Sequence, residues 1–198
     1  MNRDHHPDWY YPIQGMRTLI LGTFPPHKDK RHIEFYYPNK QNRFWSVFAE
    51  VAGKRLSKNA DSDAVNERKQ LMKLMSVGVQ NLGKTIGRKG KSSLDRDISI
   101  LEFQNIVEII DTNDTLKVIH LTGYSGPSST YHSFIRYLDD NGIAHTLPEK
   151  IEVGQTFTVE RNRPIKCILG NSTSRAARRV SFEELVEQFK RAMVDEHR

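Results

Sequence analysis

The chain has 198 residues, of which 37% are hydrophobic and 27% charged. That balance suits one globular domain over residues 1–198 and excludes a disordered or low-complexity chain. An excess of 30 basic over 24 acidic side chains gives +6 and a pI near 9.4, which permits a polyanionic partner without requiring one.

The single cysteine, Cys167, lies in the apolar run "IKCILG" and reads as a small core residue. It excludes an intrachain disulfide framework and a cysteine-ligated zinc or iron–sulfur site. The opening "MNRDHHPDWYYP" has no apolar signal region, and no apolar stretch of about 18 residues occurs. A cytoplasmic monomer with no membrane partner is expected. His5-His6 and His27…His32 lack metal-ligand spacing, so neither a metal nor a cofactor is expected.

In chain order, "RTLILG" (17 to 22) is the first predicted strand, ended by Gly22 and Pro25-Pro26. A long loop follows to about Asn42. Phe44, Trp45, Phe48, Val51 and Ala52 then recur at helical spacing, with Gly53 as the stop. A second helix is predicted to about residue 76, with Asp61 or Ser62 as N-cap. "VGVQNL" (77 to 82) reads as a strand, and "GKTIGRKGKSSLDR" as a glycine-spaced basic loop. A helix from about Leu101 to Ile110 is expected before the strand "LKVIHLTG". "GPSSTYHSFIRYLDDNG" predicts a helix with a serine N-cap and Asn141-Gly142 at its end. "QTFTVE" and "PIKCILG" are further strands. The final helix opens on the capping-box pattern Ser181-Phe182-Glu183-Glu184.

Apolar strands separated by helices imply an α/β fold, a three-layer α/β/α sandwich around a mainly parallel sheet. Ligands in such folds bind beyond the carboxyl ends of the strands. Three loops leave strands there: "GTFPPHK", "TGYSGPSS" and "GNSTSRAARR".

These loops and "YYPNKQNRFW" together resemble the uracil-DNA glycosylase superfamily, nearest its hypoxanthine-DNA and mismatch-specific uracil/thymine-DNA glycosylase branches. "LILGTFPP" is similar to the first motif, and "YYPNKQNRFW" to the segment after it. "SSLD", "LKVIHLTG" and "ILGNSTSRAARRVSFEEL" follow in the family's order, so the resemblance spans roughly residues 17 to 190. It implies a uracil-DNA glycosylase-like fold, DNA as partner, and hydrolysis of the N-glycosidic bond of a flipped base. Such an enzyme needs a stacking face, donors for the leaving base and a group that positions water.

The resemblance assigns Asn42 as the catalytic asparagine and places Phe44 against the flipped base. The residues allow other roles: Asn42 is a good N-cap, and Phe44 belongs to a wide core stripe. Thr23 and Phe24 stand where much of the superfamily has a polar residue, so their loop is a base-binding candidate through its backbone. Thr122 occupies the place of a base-reading asparagine and offers one hydroxyl donor; an ordinary strand terminus is its other reading. In the last loop, Ser172, Thr173, Ser174 and Arg175 are DNA-binding candidates, with Arg178 and Arg179 beyond them. Lys84, Arg88, Lys89 and Lys91 form either a phosphate-contact surface or a solvated run of charge. None of the catalytic or base-binding candidates is a lysine, which favours a monofunctional hydrolase. The rival function is a non-catalytic module that keeps the fold and binds nucleic acid or a free base.

Overall fold

A computed structural model describes residues 2–58, 61–175, 177 and 179–194. Its main sheet has the order β3-β2-β6-β8-β7. The strands are β2 (Thr18–Gly22), β3 (Val77–Asn81), β6 (Val118–Thr122), β7 (Thr156–Glu160) and β8 (Pro164–Gly170). The first four in spatial order run parallel; β7 returns antiparallel along β8 at the edge. Every residue of β2, β3 and β6 is buried, which explains why their sequences are apolar without alternation.

Helices cover both faces of this sheet. Helix α1 (Phe44–Val51) packs on α5 (Phe182–Met193), which meets β6 where Phe189 touches the His120 ring at 5.0 Å. Side chains alternate along β6, so Ile119 and Leu121 point to the opposite face, where α4 (Thr130–Asp140) lies. Helix α2 (Asp61–Met75) runs into β3, and the short α3 (Ile106–Asp111) precedes β6. The result is the three-layer α/β/α arrangement expected from the sequence.

The expected capping box forms in full: Ser181 Oγ accepts from the Glu184 N–H, and the Glu184 carboxylate accepts from the Ser181 N–H. Ser129 caps α4 without a box, its Oγ accepting from the His132 N–H at 3.4 Å. Of the two N-caps predicted for α2, the Asp61 side chain lies outside the described residues. Among the described residues, no helix is long and apolar enough to cross a membrane.

Two predicted elements are wrong. The "glycine-spaced loop" begins as a strand, β4 (Gly83–Arg88), and the helix expected from Leu101 begins only at Ile106. Residues Ile98–Phe103 are instead a strand, β5, which pairs antiparallel with β4. The third member of this second sheet is β1 (Asn2–His5), on the other side of β4. Strand β5 buries only Ile98 fully, and Leu101 faces solvent at 54% exposure. Its apolar residues therefore mimic one turn of an amphipathic helix. Asn105 sets the true helix start: its Oδ1 accepts from the Glu108 N–H.

Candidate active site

A cleft of about 450 Å³ opens at the carboxyl ends of β2, β3, β6 and β8. Its floor is Gly22, Asn81 and Thr122, the last residues of three adjacent strands. The walls are the 23–26 loop, the 37–42 turn, the 93–95 turn and the 172–175 loop. A Cβ on Gly22 would lie 2.6 Å from Asn81 Oδ1 and 3.0 Å from the Tyr37 hydroxyl. Only glycine permits that approach.

The cleft brings together Thr23, Phe24, Asn42, Thr122, Ser172, Thr173, Ser174 and Arg175, from four segments of the sequence. Phe44 is not among them. It is fully buried and stacked flat on Tyr37, with ring centroids 3.7 Å apart and 9° between planes. Phe189 and Trp45 meet its edges. The expected stacking role therefore does not fit Phe44; Tyr37 is the ring of this pair that borders the cleft. Tyr37 holds a left-handed backbone conformation (φ 49°), unusual for a bulky residue.

Arg88 is a second correction. It is 1% exposed, and its guanidinium donates to Asp4 Oδ2 (2.7 Å), Pro25 O (2.8 Å) and Ser92 O. It also lies over the Phe24 ring. Buried and held by these partners, it is closed to a phosphate. Lys84 and Lys91 pair with Glu102 and Asp29, while Lys89 is exposed and stands off the cleft wall. Arg178 lies outside the described residues, and Arg179 is exposed.

Thr122 is also more constrained than its sequence suggests. Its hydroxyl proton goes to Leu21 O at 2.9 Å. In its 3.0 Å contact with Tyr37 it must then accept, with the phenol as donor. Burial pushes the Tyr37 phenol well above its usual range, which keeps that proton in place. Thr122 thus positions Tyr37 and has no proton left for a base.

Asn42 is not the N-cap of α1, since Arg43 holds that position without a side-chain cap bond, but it stands one residue before it. Its Oδ1 accepts from the Phe44 N–H at 2.9 Å, an Asx turn that leads the chain into α1. An N–H donor can be met only by the amide oxygen, which fixes the side-chain orientation. The Nδ2 hydrogens have no acceptor among the described residues, and Asn42 borders the cleft. They are available to a ligand or a water.

Asn81 and Asp95 were not singled out from sequence. Asn81 Nδ2 lies 2.9 Å from His6 Nε2, and His6 Nδ1 lies 2.6 Å from Pro7 O. A carbonyl only accepts, so Nδ1 carries the proton and Nε2 accepts from Asn81. Burial lowers the His6 pKa to about 4, aided by Arg31 and opposed by the Pro7 bond and Asp8; the ring is neutral at pH 7. Asn81 Oδ1 is left facing Gly22 and the cleft.

Asp95 opens a short 3-10 turn, Asp95–Asp97, after β4. Its side chain is exposed toward the cleft, yet surrounding protein desolvates it and pushes the carboxyl up to about 6, with the Thr23 hydroxyl pulling the other way. The turn is braced where Ser92 Oγ donates to Asp97 Oδ2 and Arg88 donates to Ser92 O. The "SSLD" stretch was the available signal for Asp95. For Asn81 the signal was its place at a predicted strand end.

On the far wall, Arg43 sits beside Asn42 and anchors the last loop. Its backbone N–H donates to Thr173 O, and its guanidinium donates to Val180 O and Ala177 O. Ser172 Oγ accepts from the Ser174 N–H, and Arg175 is exposed at the mouth. Among the described residues, no group of three or more His, Cys, Asp or Glu is placed to hold a metal ion.

No protein-family model and no curated protein matches the chain. Among solved structures, it is similar to a solution NMR structure from Methanosarcina acetivorans, provisionally described as a uracil DNA glycosylase. Identity is 18%, coverage 96% of this chain and 98% of that chain, and the TM-score 0.62. A likeness at that identity concerns architecture, and it is near end to end: this chain has a uracil-DNA glycosylase-like fold.

Proposed function

We propose that this protein is a DNA glycosylase that hydrolyses the N-glycosidic bond of a flipped, deaminated base, hypoxanthine or uracil, during base-excision repair. One observation carries this reading: two oriented amides, Asn42 and Asn81, and one carboxylate, Asp95, converge on a single cleft beyond the strand ends. The architecture it shares with the M. acetivorans protein supports it.

With one Nδ2 hydrogen held by His6, Asn81 offers an extended base its Oδ1 acceptor and the other Nδ2 hydrogen. That edge complements a lactam, N–H beside C=O, which deamination creates in both uracil and hypoxanthine. The amino forms present the reverse polarity. Tyr37 and Phe24 supply aromatic surface on the walls, and Ser172, Ser174 and Arg175 stand at the rim for phosphates.

Water is held by a donor from Asn42 Nδ2 and accepted by Asp95. As the C1′–N bond breaks, the ionised Asp95 stabilises the oxocarbenium-like sugar and takes the water proton while oxygen bonds to C1′. The base leaves as an anion whose carbonyl oxygen is met by the Asn81 hydrogen, and it is protonated from solvent. No lysine lines the cleft among the described residues, so hydrolysis rather than Schiff-base chemistry is the fitting route.

The deciding experiment is an excision assay on oligonucleotides containing uracil, hypoxanthine or xanthine, single-stranded and mispaired, read as alkali-labile strand breaks. Abasic sites with the wild type and none with Asp95→Asn or Asn42→Ala are expected. Salt-dependent binding without any abasic site would replace the enzyme with a binding module.

A further inference from the structure

A second concavity of about 670 Å³ lies behind the 37–42 turn, between α1 and the start of α2. It shares Tyr37, Pro38, Asn39 and Asn42 with the cleft, so only that ridge separates the two spaces. Its lining is basic: Lys40, Lys54, Arg55 and Arg68 against one carboxylate, Glu50.

Arg68 marks it as more than a solvated charged face. The residue is 7% exposed and lies over the Trp45 ring at 5.6 Å. Nη1 donates to Ala64 O at 2.7 Å and Lys58 O at 3.3 Å, while Nε is buried with no hydrogen-bond partner. No carboxylate among the described residues pairs with it. Its neighbour Glu67 is turned to Ser57 and Lys58, from which it accepts three hydrogen bonds. Glu67 therefore attracts the guanidinium without bonding it. A buried guanidinium with no hydrogen-bonded counter-ion is costly, and an anion entering the groove would relieve that cost.

We propose that this groove is a phosphodiester site. It takes a backbone phosphate of the DNA strand whose flipped nucleotide occupies the cleft, with Arg68 as the anchoring cation and Lys54 and Arg55 at the edge. The strand crosses the Tyr37–Asn42 ridge between the two spaces. The identity of the strand rests on the glycosylase reading, whereas phosphate binding in the groove does not.

The test uses the two tryptophan indole signals in 15N NMR spectra. Trp45 Nε1 donates to Tyr36 O and its ring underlies Arg68, so its indole signal reports on the groove. Inorganic phosphate and the dinucleotide dTpdT are titrated separately into wild type and a Lys54→Gln/Arg55→Gln variant, both of whose positions are exposed. A saturable shift of the Trp45 signal is expected, weakened at least ~5-fold in the variant. The variant should also bind an abasic-analogue oligonucleotide ~5-fold or more weakly, with its salt slope reduced by about one to two. Absence of a saturable shift overturns the proposal, as does equal affinity in the variant. A shift with phosphate but unchanged oligonucleotide binding also overturns it, leaving a site for free phosphate. Failure of the excision assay alone removes the glycosylase reading and leaves the indole result standing.

Discussion

The guanidinium of Arg88 donates to the carbonyl oxygen of Pro25 at 2.8 Å, tying the loop after β2 to the end of β4. The same side chain bonds Ser92 O, on the turn that carries Asp95. Arg88 therefore sets the distance between two walls of the cleft without lining it.

Arg88→Met is expected to destabilise the fold by about 2–4 kcal/mol, because it strips buried acceptors and Asp4 of one shared partner. Urea unfolding measures this. Arg88→Lys should recover little, since one ammonium cannot serve three separated acceptors. An exposed phosphate-binding arginine would show the reverse pattern: unchanged stability and weaker DNA binding.

Substitution can separate the two tasks of Asn42. Asn42→Asp keeps an oxygen for the Phe44 N–H and should cost less than about 0.5 kcal/mol, whereas Asn42→Ala leaves that N–H without its side-chain bond and costs about 1 kcal/mol. Both lose the Nδ2 donors, so both should lose most excision activity. If Asn42→Asp excises as fast as the wild type, the donors have no part in positioning water.

Asp95 predicts the acid limb of the rate profile. Its carboxyl is raised to about 6 by desolvation, and in the proposed mechanism the ionised form acts. Excision should be nearly pH-independent above about 7 and fall roughly tenfold per unit well below 6. The folded state holds this proton more tightly than the unfolded chain, so the group costs stability as pH rises from about 4 to about 6. Asp95→Asn should therefore be inactive yet slightly more heat-stable at pH 7. A stable variant that kept full activity would remove Asp95 from the mechanism.

His120 predicts acid sensitivity of the fold. It is fully buried beside Gly170 and Phe189, both ring nitrogens lack hydrogen-bond partners among the described residues, and burial lowers its pKa to about 4. The folded state binds fewer protons than the unfolded state between about 4 and 6.5, so stability falls as pH drops through that window. At pH 5 the loss from His120 alone is on the order of 2 kcal/mol. His120→Leu should lose that share of the acid sensitivity and unfold no more easily at pH 7. Identical pH 7-to-5 differences in urea midpoint for variant and wild type would contradict this.

The parallel sheet was legible because β2, β3 and β6 are buried on both faces, and burial of that kind writes an unbroken apolar run. Strands β4 and β5 were not. They form a partly exposed antiparallel sheet whose partner, β1, is the polar string Asn2–His5, and charged, glycine-containing segments read as loop. The burial of Arg88 is a product of that unforeseen pairing. Within the site, eight expected residues reached one cleft because each sat at a strand end or beside a helix start. Helical spacing identified the Phe44 stripe but not the ring that covers it, since Tyr37 gets its position from a left-handed backbone turn and a bond to Thr122. Asp95 escaped notice because its raised pKa is made by crowding from distant parts of the chain.

Strand β1 and the residue after it have a practical consequence. Asp4 pairs with Arg88, and His6 decides which end of the Asn81 amide faces the cleft. A shortened protein starting at Pro7 would keep the five-stranded sheet, yet its Asp95 turn would be loosened and Asn81 free to rotate. Such a protein would test as inactive while looking properly folded. Any shortened version therefore has to keep residues 2–6 in place.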